Sequence, residues 1–450
     1  MILAFEETIF YLLLFSIPFQ RRVILWQQNW YFNEWQSFSA YYTDAILIAL
    51  FLLWLIRHAR VSRIPSFKLM ITQIKSSDIC LVLFLVISAI SLKNAQSRTL
   101  GFLEWTKLVE FILFYFYVKY YALGRFNIFS SFLSIFVGGL FQSVIAIAQF
   151  LHQSDAGLRI LGEEVLGLDL AGVAVFINNT GQKIMRAYGT TPHPNILAAY
   201  LFISIFSFIA WYFYDKRIIS KKIEILALAL WGVVLFAFYS TFARTAIFIF
   251  FVGLIARFSV VFLKKKSLLD NILKIKFRNL GIVIVISVVL FGLFFRSDVL
   301  SRLSLSSHDE AVSLRMYYNK EALKTGINWF GVGAGNFVDW FMVHEPYQPK
   351  WFYQPVHNIY LLIYSETGLL GIAIFMMFII FTMKEFVMKS AIHYLPEVSI
   401  FIIFLSLLFI GSFDHFLWTL QQGRFMLWLV LALLSEGYIN QTRLINRHAK

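Results

Sequence analysis

The feature that most constrains this chain is an apolar segment of about 20 residues that recurs along nearly its whole length. A helix of about 20 residues crosses the roughly 30 Å hydrocarbon core of a bilayer. Such segments occur at 2–20, 40–56, 78–93, 99–121, 126–150, 195–214, 223–242, 244–262, 279–295, 358–383, 394–413 and 416–436. The sequence therefore predicts an all-α polytopic membrane protein with about 12 transmembrane helices.

The composition excludes a soluble or disordered chain. Hydrophobic residues make up 59% of the sequence and charged residues only 14%, whereas soluble domains are about 45–50% apolar and about 25% charged. So much apolar surface could neither be covered in water nor remain unfolded. The single cysteine, Cys80, excludes a disulfide framework and a thiolate metal cluster.

The distribution of basic residues predicts the orientation in the membrane. Lys and Arg collect in cytoplasmic loops, and one alternate set of connections holds 23 of them against 15 in the other. The richer set comprises 57–77, 119–125, 215–222, 257–278, 384–393 and the tail 437–450. We therefore expect both termini in the cytoplasm, and the net charge of +14 needs no nucleic-acid partner.

Two charged features lie inside predicted spans. The first span contains Glu6 and Glu7 and lacks the basic start and small-residue cleavage site of a signal peptide, so we expect it to be retained. In another span, Glu104, Lys107 and Glu110 recur every three residues. Residues at this spacing share a helix face, so we expect them to neutralise one another.

Two long loops fall on the predicted non-cytoplasmic side. They divide the chain into residues 1–295, with nine transmembrane helices and an outer loop at 151–194; a large helical periplasmic loop at 296–357; and residues 358–450, with three more helices and a cytoplasmic tail. Long ordered loops commonly carry function, and we expect the functional residues in them.

Two arginines stand out in the first half of the chain. Arg186 lies in Arg186-Ala-Tyr-Gly-Thr-Thr-Pro-His-Pro-Asn195, a turn that leads into the next helix. Arg186 and His193 are candidates for contacting a polar ligand, or they cap the loop at the membrane interface. Arg244 lies in Ser240-Thr-Phe-Ala-Arg-Thr-Ala246 without an acidic neighbour. An arginine at this depth is either functional or snorkels to the interface.

The second long loop contains a predicted helix and a glycine turn. Ala311, Leu314, Tyr318 and Ala322 form one stripe of a helix that ends near Gly326, and Arg315 lies off this stripe. The helix is either functional or simply amphipathic and solvated. The run Gly331-Val-Gly-Ala-Gly-Asn-Phe337 predicts a tight turn, because no strand and helix flank it as in a dinucleotide motif.

The loop then leads into the tenth predicted span through Val356-His-Asn-Ile-Tyr-Leu-Leu-Ile-Tyr-Ser-Glu-Thr-Gly-Leu-Leu-Gly371. His357 would lie at the outer mouth of this helix, with Glu366 about 13 Å deeper. Arginines bind diphosphates by charge-assisted hydrogen bonds, and a histidine can accept a proton from a hydroxyl. The sequence has no acidic cluster that suggests a divalent metal.

Taken together, these motifs resemble the O-antigen ligase and O-antigen polymerase superfamily of bacterial membrane glycosyltransferases. The resemblance is carried by Ser240–Ala246, the helix with Arg315, the turn Gly331–Phe337 and the block His357–Gly371. The last two, with the large loop before them, are the most specific elements.

The resemblance implies an enzyme of the bacterial inner membrane that works on the periplasmic face. It would move a glycan from a polyprenyl (undecaprenyl) diphosphate carrier to an acceptor hydroxyl, lipid A–core in a ligase, by inversion and without metal or cofactor. By position, His357 would be the catalytic base, and Arg244, Arg315 and Arg186 would bind the diphosphate. Asn358, Glu366 and His193 would support them.

Other functions remain open at the level of sequence. A polymerase that extends a lipid-linked repeat, or a ligase that glycosylates protein, would share the block at His357. A transporter of lipid-linked glycan is the alternative from another class, although transporters are expected to place ionisable residues near the midplane. The sequence does not identify the sugars, the acceptor or the oligomeric state.

Overall fold

The structure is a computed structural model, and it describes residues 2–60, 74–214, 220–263, 271–303, 310–326, 328–389 and 395–436. This part of the chain is predominantly helical. In chain order the helices are α1 Ile2–Ser16, α2 Tyr42–Arg60, α3 Ser76–Ser91, α4 Arg98–Tyr120, α5 Ile128–His152, α6 Pro194–Tyr214, α7 Lys221–Ser240, α8 Arg244–Leu263, α9 Asn271–Phe294, α10 Arg296–Leu303, α11 Glu310–Lys324, α12 Phe337–His344, α13 Ile359–Lys389, α14 Leu395–Gly411, α15 Phe416–Thr419 and α16 Gln421–Glu436.

The described residues also contain four short strands. β1 (Arg22–Gln27) pairs antiparallel with β2 (Ser37–Tyr41), and β3 (Val175–Ile177) pairs antiparallel with β4 (Lys183–Met185). Neither hairpin was predicted from the sequence. Both connect helices, so the prediction of an all-helical membrane domain holds for the rest of the described chain.

Among the described residues, seven helices are long and apolar enough to cross a membrane. They are Tyr42–Ala59, Ser76–Asn94, Ile128–His152, Pro194–Phe213, Lys221–Ser240, Asn271–Phe294 and Ile359–Met388. A helix lies at each of the 12 predicted segments, but several are shorter or carry more charge. The polytopic character is therefore confirmed, and the count of 12 spans stays a prediction.

α6 forms the centre of the bundle. The apolar part of this helix, Pro194–Phe213, is buried on almost every side and packs against α5, α7 and α14. A helix that is hydrophobic all round belongs in an interior. In contrast, α9 is the least buried of the seven long helices, so it lies at the periphery where lipid would contact it.

Ten of the 23 basic residues used to predict orientation lie outside the described residues. They are two each in 61–73 and 215–219, Lys264 to Lys266, and three in the tail 437–450. The orientation of the termini accordingly stays a prediction.

Of the two ion pairs predicted on α4, one is present: Lys107 pairs with Glu110 but not with Glu104. Lys107 Nζ lies 3.0 Å from Glu110 Oε2, as expected from their spacing, and 2.6 Å from Asp44 Oδ2 on α2. Glu104 instead pairs with Arg424 on α16 at 2.5 Å, so the prediction that Glu104 neutralises Lys107 is wrong. The prediction considered only residues of the same helix, and Arg424 belongs to another one.

The connections that carry the predicted site lie together at one end of the bundle, called the loop end below. It comprises the β1–β2 hairpin, residues 153–193 and residues 310–358. Gln36 of the hairpin donates a hydrogen bond to Asp339 of α12, and Gln20 Nε2 donates to Glu164 Oε1 at 3.1 Å. Tyr318 and Ala322 of α11 are buried in a separate apolar cluster with Phe337, Phe341 and Val356, which confirms the predicted stripe at these two positions.

α13 is broken at Gly368, whose φ of 74° and ψ of −171° are not helical. This conformation is essentially restricted to glycine. The break leaves the carbonyl groups of Ser365 and Glu366 without their helical donors, and Val332 N and Gly333 N bond to them at 2.9 and 3.0 Å. In return, Leu369 N donates to Asn328 O at 2.9 Å. Residues 328–333, which include the start of the glycine turn, thus replace the backbone hydrogen bonds that α13 loses at the break.

We expect Gly368→Ala to destabilise the protein strongly. A Cβ atom at this position would lie 2.4 Å from Phe330 N, and the backbone strain alone costs about 1–3 kcal/mol. The expected result is a fall of several degrees in the melting temperature of the detergent-solubilised protein. Gly292→Ala is the matched control, because nothing lies within 4 Å of its Cβ position. An equal melting temperature for the two variants would contradict this role of Gly368.

Candidate functional site

A cavity of about 320 Å³ lies at the loop end and is named the arginine cavity here. Side chains from segments that are distant in sequence meet in it. Its polar and charged lining consists of Arg186, His193, Asn195, Arg244, Thr245, Arg302, Arg315 and Asp414. Four residues predicted from the sequence as site residues, Arg186, His193, Arg244 and Arg315, therefore share one cavity.

Arg186 is buried and rigidly held. Its Nε donates to Thr241 O and a terminal nitrogen donates to Asn195 Oδ1, both at 2.7 Å. Burial lowers the pKa of Arg186 to about 9, and the positive charges of Arg302 and Arg315 add to this effect. The lining thus brings four arginines together with one carboxylate, Asp414, among the described residues.

His193 begins the turn into α6. Its Nδ1 accepts a hydrogen bond from Asn195 N at 3.2 Å, and its carbonyl accepts from Ile196 N at 3.0 Å. Burial lowers the pKa of His193 to about 3, and the nearby charge of Arg186 acts in the same direction. His193 is therefore neutral at physiological pH. Its hydrogen bonds are those of a loop cap, and one side of the ring lines the cavity.

The other arginines come from three further elements. Arg244 is the first residue of α8, Arg302 lies in the last turn of α10, and Arg315 lies on α11. The Arg302 guanidinium lies 5.3 Å from the centre of the Phe176 ring on β3, a cation–π arrangement that fixes its position. Separate elements thus aim positive groups into one space, as anion binding requires.

Asp414 is the only carboxylate among the described residues that line the arginine cavity. Its Oδ2 accepts from Asn195 Nδ2 at 2.9 Å, and its Oδ1 accepts from His415 N at 2.9 Å. Burial acts to raise the pKa of Asp414, but the electrostatic interaction with the nearby His357 ring outweighs it and holds the pKa below its usual range. Asp414 is therefore ionised.

His357 lies next to Asp414 but is not itself among the described residues that line the arginine cavity. Its Nδ1 is 3.9 Å from Asp414 Oδ1, and its Nε2 is 3.4 Å from Gln354 Oε1. Its ring also contacts the rings of His415, at 4.7 Å between centres, and Tyr318, at 5.8 Å. The ring is therefore held against an ionised carboxylate, the arrangement that orients an imidazole for proton transfer.

Asn358 and Glu366 have different surroundings. The Asn358 side chain caps α13, because its Oδ1 accepts from Tyr360 N at 2.9 Å and from Leu361 N at 3.1 Å. Glu366 does not line the arginine cavity but a second cavity, with Glu104 and Arg424. His357 precedes the first residue of α13, Ile359, and is not among the described residues that line this second cavity.

Three lining or contact residues were not predicted: Arg302, Asp414 and His415. Asp414 and His415 stand in a connection of four residues between two apolar segments, a position that suggests only a short turn. A charged residue beside a histidine at the predicted outer side was the available signal. His415 is buried, and burial together with the electrostatic interaction with His357 lowers its pKa to about 3.

His357, Asp414 and His415 are also the residues that could hold a metal ion, by their side-chain types. Their ligand atoms lie within 4.8 Å of one another. However, both carboxylate oxygens of Asp414 already accept hydrogen bonds, and His415 Nδ1 is 2.7 Å from Thr419 Oγ1. The group is therefore engaged in hydrogen bonds within the protein.

The fold and the cavity define a class of protein: a polytopic membrane protein with a positively charged site at one end of its helical bundle. Residues 227–376 match the family model described as O-antigen ligase. This segment, one third of the chain, is thus similar to the O-antigen ligase family, which confirms the resemblance seen in the motifs. No curated protein matches the chain.

The matched segment contains Arg244, Arg315 and His357 together with the glycine turn, whereas Arg186 and Asp414 lie outside it. Members of this family are membrane glycosyltransferase-like enzymes that act on glycan and lipid-linked substrates. The site described above therefore draws on both the matched segment and the flanking helices.

Proposed function

We propose that the chain is an O-antigen ligase-like glycosyltransferase. It moves a glycan from a polyprenyl (undecaprenyl) diphosphate carrier to an acceptor hydroxyl, with lipid A–core as the proposed acceptor, on the periplasmic face of the bacterial inner membrane. The observation that carries this proposal is the convergence of Arg186, Arg244, Arg302 and Arg315 on one cavity beside a carboxylate–histidine pair.

The arginines supply the electrostatic part of the mechanism. Burial lowers the pKa of Arg186, and the positive charges of Arg302 and Arg315 add to this effect. A diphosphate bound in the arginine cavity would offset this repulsion among the arginines. As the bond between the anomeric carbon and the diphosphate breaks, the leaving oxygen gains negative charge. Donors already aimed at that position stabilise this charge without further reorganisation.

His357 supplies the proton acceptor. The acceptor hydroxyl attacks the anomeric carbon from the side opposite the diphosphate, so a glycosidic C–O bond forms as the other C–O bond breaks and the configuration inverts. The hydroxyl proton passes to His357, and the diphosphate leaves with the bonding electron pair. Asp414, ionised and 3.9 Å from Nδ1, stabilises the protonated ring.

The test is a transfer assay with purified protein in detergent. The donor is the undecaprenyl-diphosphate-linked glycan of the bacterium that encodes the chain. Two acceptors are compared: O-antigen-free lipid A–core and the single repeat unit on undecaprenyl diphosphate. Product on the first supports a ligase, and product on the second alone supports a polymerase. Absence of product with both acceptors would overturn the proposed enzyme activity.

We expect this activity to be independent of divalent metals. The arginines carry the leaving-group charge in the proposed mechanism, and the carboxylate oxygens of Asp414 are occupied by hydrogen bonds. Transfer rates with EDTA and with added Mg²⁺ should therefore agree with those of the untreated enzyme. Strong inhibition by EDTA that added metal reverses would contradict the metal-free mechanism and direct attention to His357, Asp414 and His415.

A further inference from the structure

The second cavity at the loop end is not used by the mechanism above. It has a volume of about 100 Å³ and lies between the β1–β2 hairpin, α4, α13 and the segment α15–α16. Its aromatic lining consists of Trp35, Phe38, Tyr41, Trp105, Phe111, Trp418 and Trp428, and its charged lining of Glu34, Glu104, Lys107, Glu366 and Arg424.

The second cavity adjoins the proposed base through His415. The His415 ring meets the Trp35 ring edge-on at 5.0 Å between centres, and its Nδ1 is 2.7 Å from Thr419 Oγ1. Both Trp35 and Thr419 line the second cavity. The other side of His415 contacts His357 at 4.7 Å. The histidine pair therefore lies between the two cavities, with Asp414 facing the arginine cavity.

The charges of the second cavity do not suit a diphosphate. Its acidic lining residues outnumber its basic ones, and both basic residues are already paired: Arg424 with Glu104 at 2.5 Å and Lys107 with Asp44 at 2.6 Å. An additional anion would therefore find no unpaired basic group among these lining residues. A neutral, hydroxyl-rich ligand would instead find carboxylate oxygens that accept hydrogen bonds and amide groups such as that of Gln421.

The aromatic side chains complete the match to a sugar. A sugar ring presents C–H groups on its faces and hydroxyl groups at its rim, so it needs flat apolar surfaces together with polar groups at the edges. Pockets that combine an apolar lining with a few placed polar groups are typical ligand sites. A cavity of about 100 Å³ has room for several water molecules, the scale of one sugar residue.

We propose that the second cavity binds the sugar residue of the acceptor that carries the attacking hydroxyl. This inference rests on the proposed glycosyltransferase function and deepens it. The donor diphosphate occupies the arginine cavity, the acceptor sugar occupies the second cavity, and His357 lies at the partition where the hydroxyl must lose its proton. The aromatic and acidic groups of the second cavity thereby select the acceptor.

The first test replaces one aromatic side chain that lines the second cavity. Trp35→Leu removes a ring that lines the second cavity, and Trp30→Leu is its matched control on the same hairpin, where Trp30 is 89% exposed. We expect the acceptor KM to rise about tenfold in Trp35→Leu, as for the loss of one aromatic contact. The donor KM should stay unchanged, and Trp30→Leu should behave as the wild type.

The second test removes one charge with little change of shape. Glu104 and Glu110 lie on the same helix and their side chains are 23% and 22% exposed, and each pairs with a basic residue. Glu104 lines the second cavity, whereas Glu110 is not among its described lining residues. Glu104→Gln should raise the acceptor KM about tenfold, and Glu110→Gln should leave it unchanged.

The outcomes separate this proposal from the proposed function. The assay uses the two acceptor preparations named above, and donor hydrolysis without acceptor is measured in parallel. If the wild type transfers glycan and the acceptor KM of Trp35→Leu and Glu104→Gln equals that of their controls, the acceptor site is wrong and the enzyme function stands. A fall in kcat with both KM values unchanged would equally contradict acceptor binding. Should Trp35→Leu fail to fold, the near-isosteric Glu104→Gln decides.

Discussion

His357→Ala is expected to abolish glycan transfer in an otherwise intact protein. Loss of a positioned proton acceptor costs about 10²–10⁴-fold in rate. Within the described residues, Nδ1 of His357 has no hydrogen-bond partner, and the only side-chain hydrogen bond of the ring is the 3.4 Å contact of Nε2 with Gln354. The fold depends little on these contacts, so expression, membrane insertion and melting temperature should stay near those of the wild type.

The measurement is kcat for transfer, together with the donor KM, which should change little because the arginine cavity is intact. His344→Ala is the matched control: His344 is an exposed histidine on α12 at the same end of the bundle. Its activity should equal that of the wild type. Full activity of purified His357→Ala would remove His357 from the mechanism, and an equal loss in both variants would indicate a general structural effect.

Much of the fold could be predicted from local patterns. The apolar segments indicated the helices, Pro194 marked the beginning of α6, and the stripe that includes Tyr318 indicated the buried face of α11. The break in α13 could not be predicted in this way. Its only local mark is Gly368 in an apolar run, and the backbone groups that compensate for the break come from residues 328–333. Such long-range exchanges of hydrogen bonds leave no periodic signal.

The residues of the candidate site could likewise be predicted only where a local sequence pattern marked them. Arg186, Arg244 and Arg315 stood out because each lies away from the basic cytoplasmic connections that the positive-inside rule predicts. Asp414 was missed because its role depends on Asn195 and His357, which are distant in sequence. Glu366 was grouped with His357 because both belong to one sequence block, but Glu366 lies within α13 and lines the second cavity, whereas His357 precedes the helix.

Arg315→Ala is expected to reduce transfer about 10²–10³-fold, the usual cost of removing one group that stabilises developing charge. Arg315 lines the arginine cavity, and its charge lowers the pKa values of Arg186, His193 and His415. It therefore contributes to the positive field of the site. Arg315→Lys should recover only part of the activity, because an ammonium group cannot replace the fork of hydrogen bonds that a guanidinium donates to phosphate oxygens.

Inhibition by inorganic diphosphate separates binding from catalysis. If Arg315 contacts the leaving group, diphosphate should inhibit the wild type competitively with the donor, and Arg315→Lys should raise its inhibition constant about tenfold. Lys320→Ala is the matched control, because Lys320 is an exposed cation on the same helix that does not line the described cavity. An inhibition constant that is equal in Arg315→Lys and Lys320→Ala would contradict diphosphate binding by Arg315, since loss of its guanidinium fork would then matter no more than loss of an exposed charge elsewhere on the helix.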